Sequence, residues 1–128
     1  MIKLLLVDNN KESCQILEQG LKEQGYDVIT AQQEEQGLKL ANTESPNLIF
    51  LNMTQEVPRV NSWRMVNVLK RSQKGQSIPV VAIVDHNLNG QLLEKAGFNT
   101  YVRMPVSFRH LLLRINVLLN RMLIAQPS

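Results

Sequence analysis

The chain predicts an α/β domain built on a parallel sheet with helices on both faces. Three observations carry this. Short apolar runs recur at Leu4–Val7, Leu48–Leu51, Val80–Val84 and Tyr101–Val102. The stretches between them place apolar residues at helical spacing. The two periods alternate from end to end, the pattern of strands joined by crossover helices. Unbroken apolar strands such as Val80–Val84 suit burial on both sides. The 128 residues suit one domain with one core. Its expected bounds are residues 1–122, with 123–128 as a C-terminal tail. No internal repeat, linker or second domain is visible.

The elements read in order as follows. A first strand covers Ile2 to Val7. Asn9 or Asn10 offers the N-cap of a helix reaching Gln24, closed by Gly25. Ile16, Leu17 and Leu21 are its predicted inner face. Gly20 inside it costs about 1 kcal/mol relative to alanine unless close packing needs it. A second strand, Asp27 to Ala31, precedes a helix over Gln33 to Ala41 with Leu38 and Ala41 inward. Ser45-Pro46 breaks the chain before the third strand at Leu48. A loop spans Met53 to Asn61. Ser62 can cap a helix over Trp63 to Gln73, with Met65, Val66 and Leu69 inward. Lys74-Gly75-Gln76-Ser77 is a turn, and Pro79 leads the fourth strand. A short helix over Asn89 to Ala96 is closed by Gly97. Thr100 to Arg103 is the fifth strand, and the last helix runs from Ser107 to Met122.

Composition narrows the function. Apolar residues make up 44% and charged residues 20%, a globular balance. No apolar stretch reaches the roughly 18 residues that span a bilayer. Met1-Ile2-Lys3 and the short run after it do not resemble a signal peptide, so the expected compartment is cytoplasmic, with no membrane partner. The single cysteine, Cys14, agrees with a reducing compartment. It reads as a small half-buried side chain rather than a reactive thiol. A net charge of +3 and a pI near 9.2 are mild. The basic residues form no dense stripe, so nucleic-acid binding by this domain is not expected. His86 and His110 lack ligand-like spacing, and no metal is expected on them.

Four strand ends converge at the carboxyl edge of such a sheet, where ligands and chemistry sit in open α/β folds. Here that edge carries Asp8, Asn9, Asn52, Val84 and Met104. The set holds no good nucleophile and no metal-binding cluster. Recognition is therefore expected rather than catalysis, with no cofactor and no catalytic residue.

The segments Leu5-Leu6-Val7-Asp8, Pro46-Asn47-Leu48-Ile49-Phe50-Leu51-Asn52, Ile78-Pro79-Val80-Val81-Ala82, Ala96-Gly97-Phe98 and Tyr101-Val102-Arg103-Met104-Pro105-Val106 resemble, in order and spacing, the receiver domain of two-component response regulators. The resemblance covers residues 1–122. It implies a flavodoxin-like sheet with strand order 2-1-3-4-5. It also implies an acid pair after the first strand that holds Mg²⁺, a phosphoacceptor aspartate ending the third strand, a hydroxyl residue ending the fourth and a lysine before the proline after the fifth. These positions fall on Asp8 and Asn9, Asn52, Val84 and Met104. Only Asp8 keeps the family's residue there. Tyr101 matches the aromatic switch position. The loop departs too: Glu56 and Val60 stand where the family has proline and glycine, and Pro58 comes two residues late.

The amide of Asn52 lacks the charged oxygen that attacks phosphorus. Val84 cannot hydrogen-bond a phosphoryl oxygen, and Met104 cannot neutralise one as a lysine does. Asp8 with two amides is a poor Mg²⁺ site. The expectation is a degenerate pseudo-receiver, a module of phosphorelay-type signalling that acts through phosphorylation-independent protein–protein contacts. Its partner surface is expected on the fifth strand and last helix, at Tyr101, Leu113 and Val117. Phe108, Leu111, Leu112, Ile115, Leu118, Leu119 and Met122 form the core stripe of that helix, which leaves Leu113 and Val117 outside it. Arg109, Arg114 and Arg121 border them. A signalling protein or a second copy, giving a homodimer, could cover this surface. Three other readings stay open: an unusual phosphoacceptor such as Asp8 or Glu56, a flavin or nucleotide binder, and the receiver half of a longer DNA-binding regulator. The second lacks a glycine-rich phosphate loop, since Asn9-Asn10-Lys11-Glu12-Ser13 has no glycine.

Overall fold

The structure, a computed structural model, describes residues 1–53, 62–85, 90–103 and 107–125, with side chains described to residue 120. Five strands alternate with five helices: β1 (Lys3–Val7), α1 (Lys11–Glu23), β2 (Asp27–Ala31), α2 (Glu34–Glu44), β3 (Leu48–Asn52), α3 (Ser62–Arg71), β4 (Val80–Val84), α4 (Gly90–Ala96), β5 (Thr100–Arg103) and α5 (Phe108–Ala125). All pairings are parallel, in the order β2-β1-β3-β4-β5. This is the expected flavodoxin-like arrangement.

Strand alternation divides the core into two layers. Leu5, Val7, Ile49, Leu51, Val80, Ala82 and Val84 meet α2, α3 and α4 through Ala41, Met65, Val66, Leu69 and Leu93. Leu4, Leu6, Leu48, Phe50, Val81, Ile83 and Val102 meet α1 and α5 through Cys14, Leu21, Leu111 and Ile115. β1, β3 and β4 are thus buried on both faces, which is why their sequences read as unbroken hydrocarbon.

Local chemistry sets the ends of the helices. Gly25 and Gly97 take φ of +94° and +114° after α1 and α4, where a side chain would be strained. α3 stops at Arg71, before the predicted Gln73. There the Ser72 hydroxyl donates to the Leu69 carbonyl and accepts from the Gly75 amide, opening a 3₁₀ turn over Gly75–Ser77. α2 runs on to Glu44, past the predicted Ala41, and ends at Ser45 in the left-handed region. α5 continues through Ala125, past the predicted Met122, since Leu123, Ile124 and Ala125 include no helix breaker.

Gly20 has a packing reason. A Cβ there would lie 2.9 Å from the Phe108 ring, so the glycine lets α5 approach α1. One predicted core residue is corrected. Ile16 is 73% exposed, while Cys14 and Leu21 are buried and Leu17 packs beside them. Residues spaced 0, 3 and 7 along a helix share a face, and at 100° per residue Ile16 falls on the other side. Ile16→Ser should therefore change the unfolding free energy by less than about 0.5 kcal/mol, against roughly 2–5 kcal/mol for Leu21→Ala, in urea titrations.

Candidate functional site

The strand register brings the first and third strand ends together. Val7 pairs with Leu51, so Asp8 emerges beside Asn52 at the carboxyl edge. Asp8 is 1% exposed and Asn52 7%. The Asp8 amide donates to the Ala31 carbonyl at 2.9 Å, which anchors the backbone as it leaves β1.

The Asp8 carboxylate accepts three hydrogen bonds. Its Oδ1 accepts from the backbone amide of Asn10 at 2.9 Å. Its Oδ2 accepts from Asn52 Nδ2 at 2.9 Å and from the Ser13 hydroxyl. Asn10 caps α1, its Oδ1 accepting from the Ser13 amide at 3.0 Å. The carboxylate thus lies at a helix N-terminus, where the helix dipole favours negative charge. No lysine or arginine pairs with Asp8 among the described residues.

The orientation of the Asn52 amide follows from electrostatics. The reverse flip would set Oδ1 against the carboxylate oxygen, two acceptors facing each other in a buried site. With Asp8 ionised, Nδ2 must face it.

The other predicted positions are placed as follows. Asn9 is half-buried and forms no hydrogen bond among the described residues. Val84 is fully buried in the layer against α2, α3 and α4, and contributes hydrocarbon only. Met104, Glu56, Pro58, Val60 and His86 lie outside the described residues. Tyr101 is half-buried, and a Cβ on Gly90 would lie 2.6 Å from its phenol oxygen. The Arg103 guanidinium stands 5.2 Å from the Tyr101 ring centre. Leu113 and Val117 are 51% and 45% exposed. Ser13 is the site residue that sequence reasoning missed. Its signal was the pair Asn10 and Ser13, an N-cap with a hydroxyl at the third helical position, five residues after an acid that turns back toward the helix.

Cys14, next along α1, is not a half-buried thiol but a buried one. Burial, and then the charges of Asp8 and Glu18, push its pKa up to about 11.

The chain as a whole is similar to known proteins. The family model of the response regulator receiver domain matches residues 4–116. This chain belongs to that family. As a receiver it is a component of two-component signalling. It is 32% identical over 126 residues to the alkaline phosphatase synthesis transcriptional regulatory protein PhoP of Bacillus subtilis, an alignment covering 98% of this chain and 52% of PhoP. It is 33% identical over 123 residues to the transcriptional regulatory protein CusR of Escherichia coli, covering 94% and 52%. The chain spans about half the length of these curated relatives. A receiver domain protein from Clostridium thermocellum superposes with a TM-score of 0.84 at 23% identity, over 98% of this chain and all of that one. A response regulator from Desulfuromonas acetoxidans gives 0.81 at 24%, over 94% and 98%. At that identity these two show the shared fold. No helix among the described residues is long and apolar enough to cross a membrane.

Two measurements check this geometry. Ser13→Ala removes a donor from a buried carboxylate and should cost about 1–3 kcal/mol by urea titration at neutral pH. The Cys14 thiol gives the pH dependence. Its folded pKa lies above its ordinary value of 9.0, so the unfolded thiol ionises first. That contribution to stability is full below pH 9 and is lost as pH rises toward 11. Alkylation by iodoacetamide at pH 8 should be slow in the folded protein and fast in urea.

Proposed function

We propose that this receiver is a pseudo-receiver: a binding module whose signalling does not depend on aspartyl phosphorylation. One observation carries the reading. The side chain at the phosphoacceptor position, Asn52, is an amide that donates an N–H to the neighbouring Asp8 carboxylate. An amide has no charged oxygen to attack phosphorus and forms no stable acyl phosphate. Phosphotransfer to Asn52 would also break a buried hydrogen bond and leave Asp8 short of a donor.

The residues present do not fit the Mg²⁺ that the family implies. Magnesium requires hard oxygen donors in near-octahedral array, commonly more than one carboxylate. Among the described residues one carboxylate stands at the site, and its oxygens already accept from Asn10, Ser13 and Asn52. Val84 and Met104 lack the hydroxyl and ammonium that would hold a phosphoryl group. No step is derived through the ion. The three hydrogen bonds that Asp8 already accepts argue against it as an alternative acceptor.

On this reading the module acts by contact, through the exposed side of α5 beside β5. The chain length relative to PhoP and CusR favours a compatible second reading, that this receiver is the regulatory half of a longer transcriptional regulator. An immunoblot of the native protein tests it, since a band near the mass of this chain alone would remove that option.

Incubation with acetyl phosphate and Mg²⁺ should leave the intact mass unchanged, and a stoichiometric phosphoryl adduct would overturn the proposal. Asn52→Asp probes the balance at Asp8. It sets two carboxylates within hydrogen-bond distance, a pair that holds a shared proton or a cation. The variant should lose about 2–4 kcal/mol at pH 7 and recover part of it with millimolar Mg²⁺. The wild-type Tm should not respond to Mg²⁺. A variant as stable as wild type without the ion would show that the amide is not what satisfies Asp8.

A further inference from the structure

α2 and α3 lie side by side on one face of the sheet. Early in α2 they touch closely, since a Cβ on Gly37 would lie 2.8 Å from Met65 Cε. Further along, a cleft of about 190 Å³ opens between them. Leu38 and Ala41 of α2 form one wall, and Val68 and Leu69 of α3 the other. Val68 is 41% exposed, hydrocarbon that the described residues leave uncovered. Lys3, which starts β1, pairs with Glu44, which ends α2, at 3.4 Å. The second half of α2 therefore lies toward the amino edge of the sheet, away from Asp8 and Asn52.

The turn after α3 closes one end of the cleft. The Ser72 hydroxyl diverts the chain there. A Cβ on Gly75 would lie 2.5 Å from the Leu69 carbonyl oxygen, so this glycine lets the turn fold tightly onto the end of α3. Lys74 is thereby carried across to α2, where its Nζ donates to the Asn42 carbonyl at 3.4 Å. The last carbonyls of a helix favour a cation in that place. An ammonium has three donors. This one forms no other hydrogen bond and no ion pair among the described residues. The Asn42 side-chain amide also lines the cleft and has no hydrogen-bond partner among the described residues.

Size and charge select an occupant. A hydrocarbon-walled cavity of about 150 Å³ takes up benzene. The cleft thus has room for one ring, not for a nucleotide or a folded segment. Phosphate sites gather arginines or helix N-terminal N–H groups, and neither lines this cleft. A cationic ligand would be repelled by Lys74. A neutral ring would fill the walls and leave the ammonium to water. A ring that carries a carboxylate uses both.

We propose that the cleft between α2 and α3 binds a small aromatic monocarboxylate, with its ring between Ala41 and Val68 and its carboxylate on Lys74. The site is separate from the strand ends, and it stands whether or not the phosphorylation reading does. One side of the cleft is open to water, so millimolar affinity is expected. A ligand there bridges two helices of one core layer and stabilises the folded chain by mass action.

Benzoate is the probe, titrated into the full chain and followed by amide NMR and thermal melting. Saturable shifts should fall on the second halves of α2 and α3 and on Gly75, and the Tm should rise with benzoate concentration. Benzyl alcohol has the same ring without the charge and should bind about threefold more weakly. Benzylamine should not saturate. Lys74→Gln, at an exposed position, should weaken benzoate by about threefold and leave benzyl alcohol unchanged. Val68→Phe should fill the cleft and abolish the shifts while the circular dichroism spectrum stays that of wild type. Equal binding of benzoate and benzyl alcohol would overturn the proposal. So would benzoate shifts centred on α5 or on the strand ends, no saturation at tens of millimolar, or a variant of either position that binds benzoate as wild type does. A phosphoryl adduct at the strand ends would leave all of these outcomes as stated.

Discussion

Taking a carboxylate out of water is unfavourable by several kcal/mol unless donors replace the lost solvent. Asp8 is that carboxylate, and its three donors come from three segments. Asn10 belongs to the turn after β1, Ser13 to the first turn of α1, and Asn52 to the end of β3. One buried charge therefore sets the direction in which α1 leaves the sheet and ties it to the neighbouring strand. The layers leave no alternative place for it. Every side chain of Leu4–Val7, Leu48–Leu51 and Val80–Val84 is committed to one of the two helical layers. Polar groups stand only at the ends of these strands, Lys3 at the start of β1 and Asn52 at the end of β3.

The substitutions around Asp8 make electrostatic sense as a set. A phosphoacceptor receiver gathers several carboxylates and balances them with a divalent cation and a lysine. Replacing the acceptor alone would leave the lysine short of a partner, and replacing the lysine alone would leave excess negative charge. On the proposed reading, Asn9, Asn52 and Met104 together remove two acids and one cation from that set. Among the described residues what remains is one anion with neutral donors, which on that reading needs no metal. Val84 then completes the hydrocarbon layer in place of a hydroxyl.

β1, β3 and β4 were legible because burial on both faces writes them as continuous apolar runs, while β2 and β5, only partly buried, were placed by the helical stretches on either side of them. α1 was less legible. Ile16 adjoins Leu17 in sequence, yet a helix turns 100° per residue, and Cys14, Leu17 and Leu21 define the buried side instead. The convergence of Asp8 and Asn52 was readable from strand ends. Ser13 was not, because its bond to Asp8 depends on the capped turn folding back, which alternation and period do not encode. The exposure of Leu113 and Val117 was readable because α5 is long enough for its buried stripe to be unambiguous. The end of α3 was misplaced because the Ser72 hydroxyl, not a glycine or proline, diverts the helix.

A receiver switched by phosphate exists in two states, and its partner affinity is reduced by the fraction in the wrong one. A ligand shifts such an equilibrium only through a difference in its contacts with the two states. In this chain the β4 end offers Val84, which makes no directional contact that a new group could pull on. Tyr101 stands against Gly90, with Arg103 over its ring, so packing rather than a hydroxyl lever fixes the aromatic position. On the proposed reading, the face beside it then has one conformation to offer. Its affinity is set by the complementarity of Leu113, Val117 and the flanking arginines to what arrives, and by ionic strength. On that reading, regulation passes from covalent chemistry at the sheet edge to the concentration of the partner.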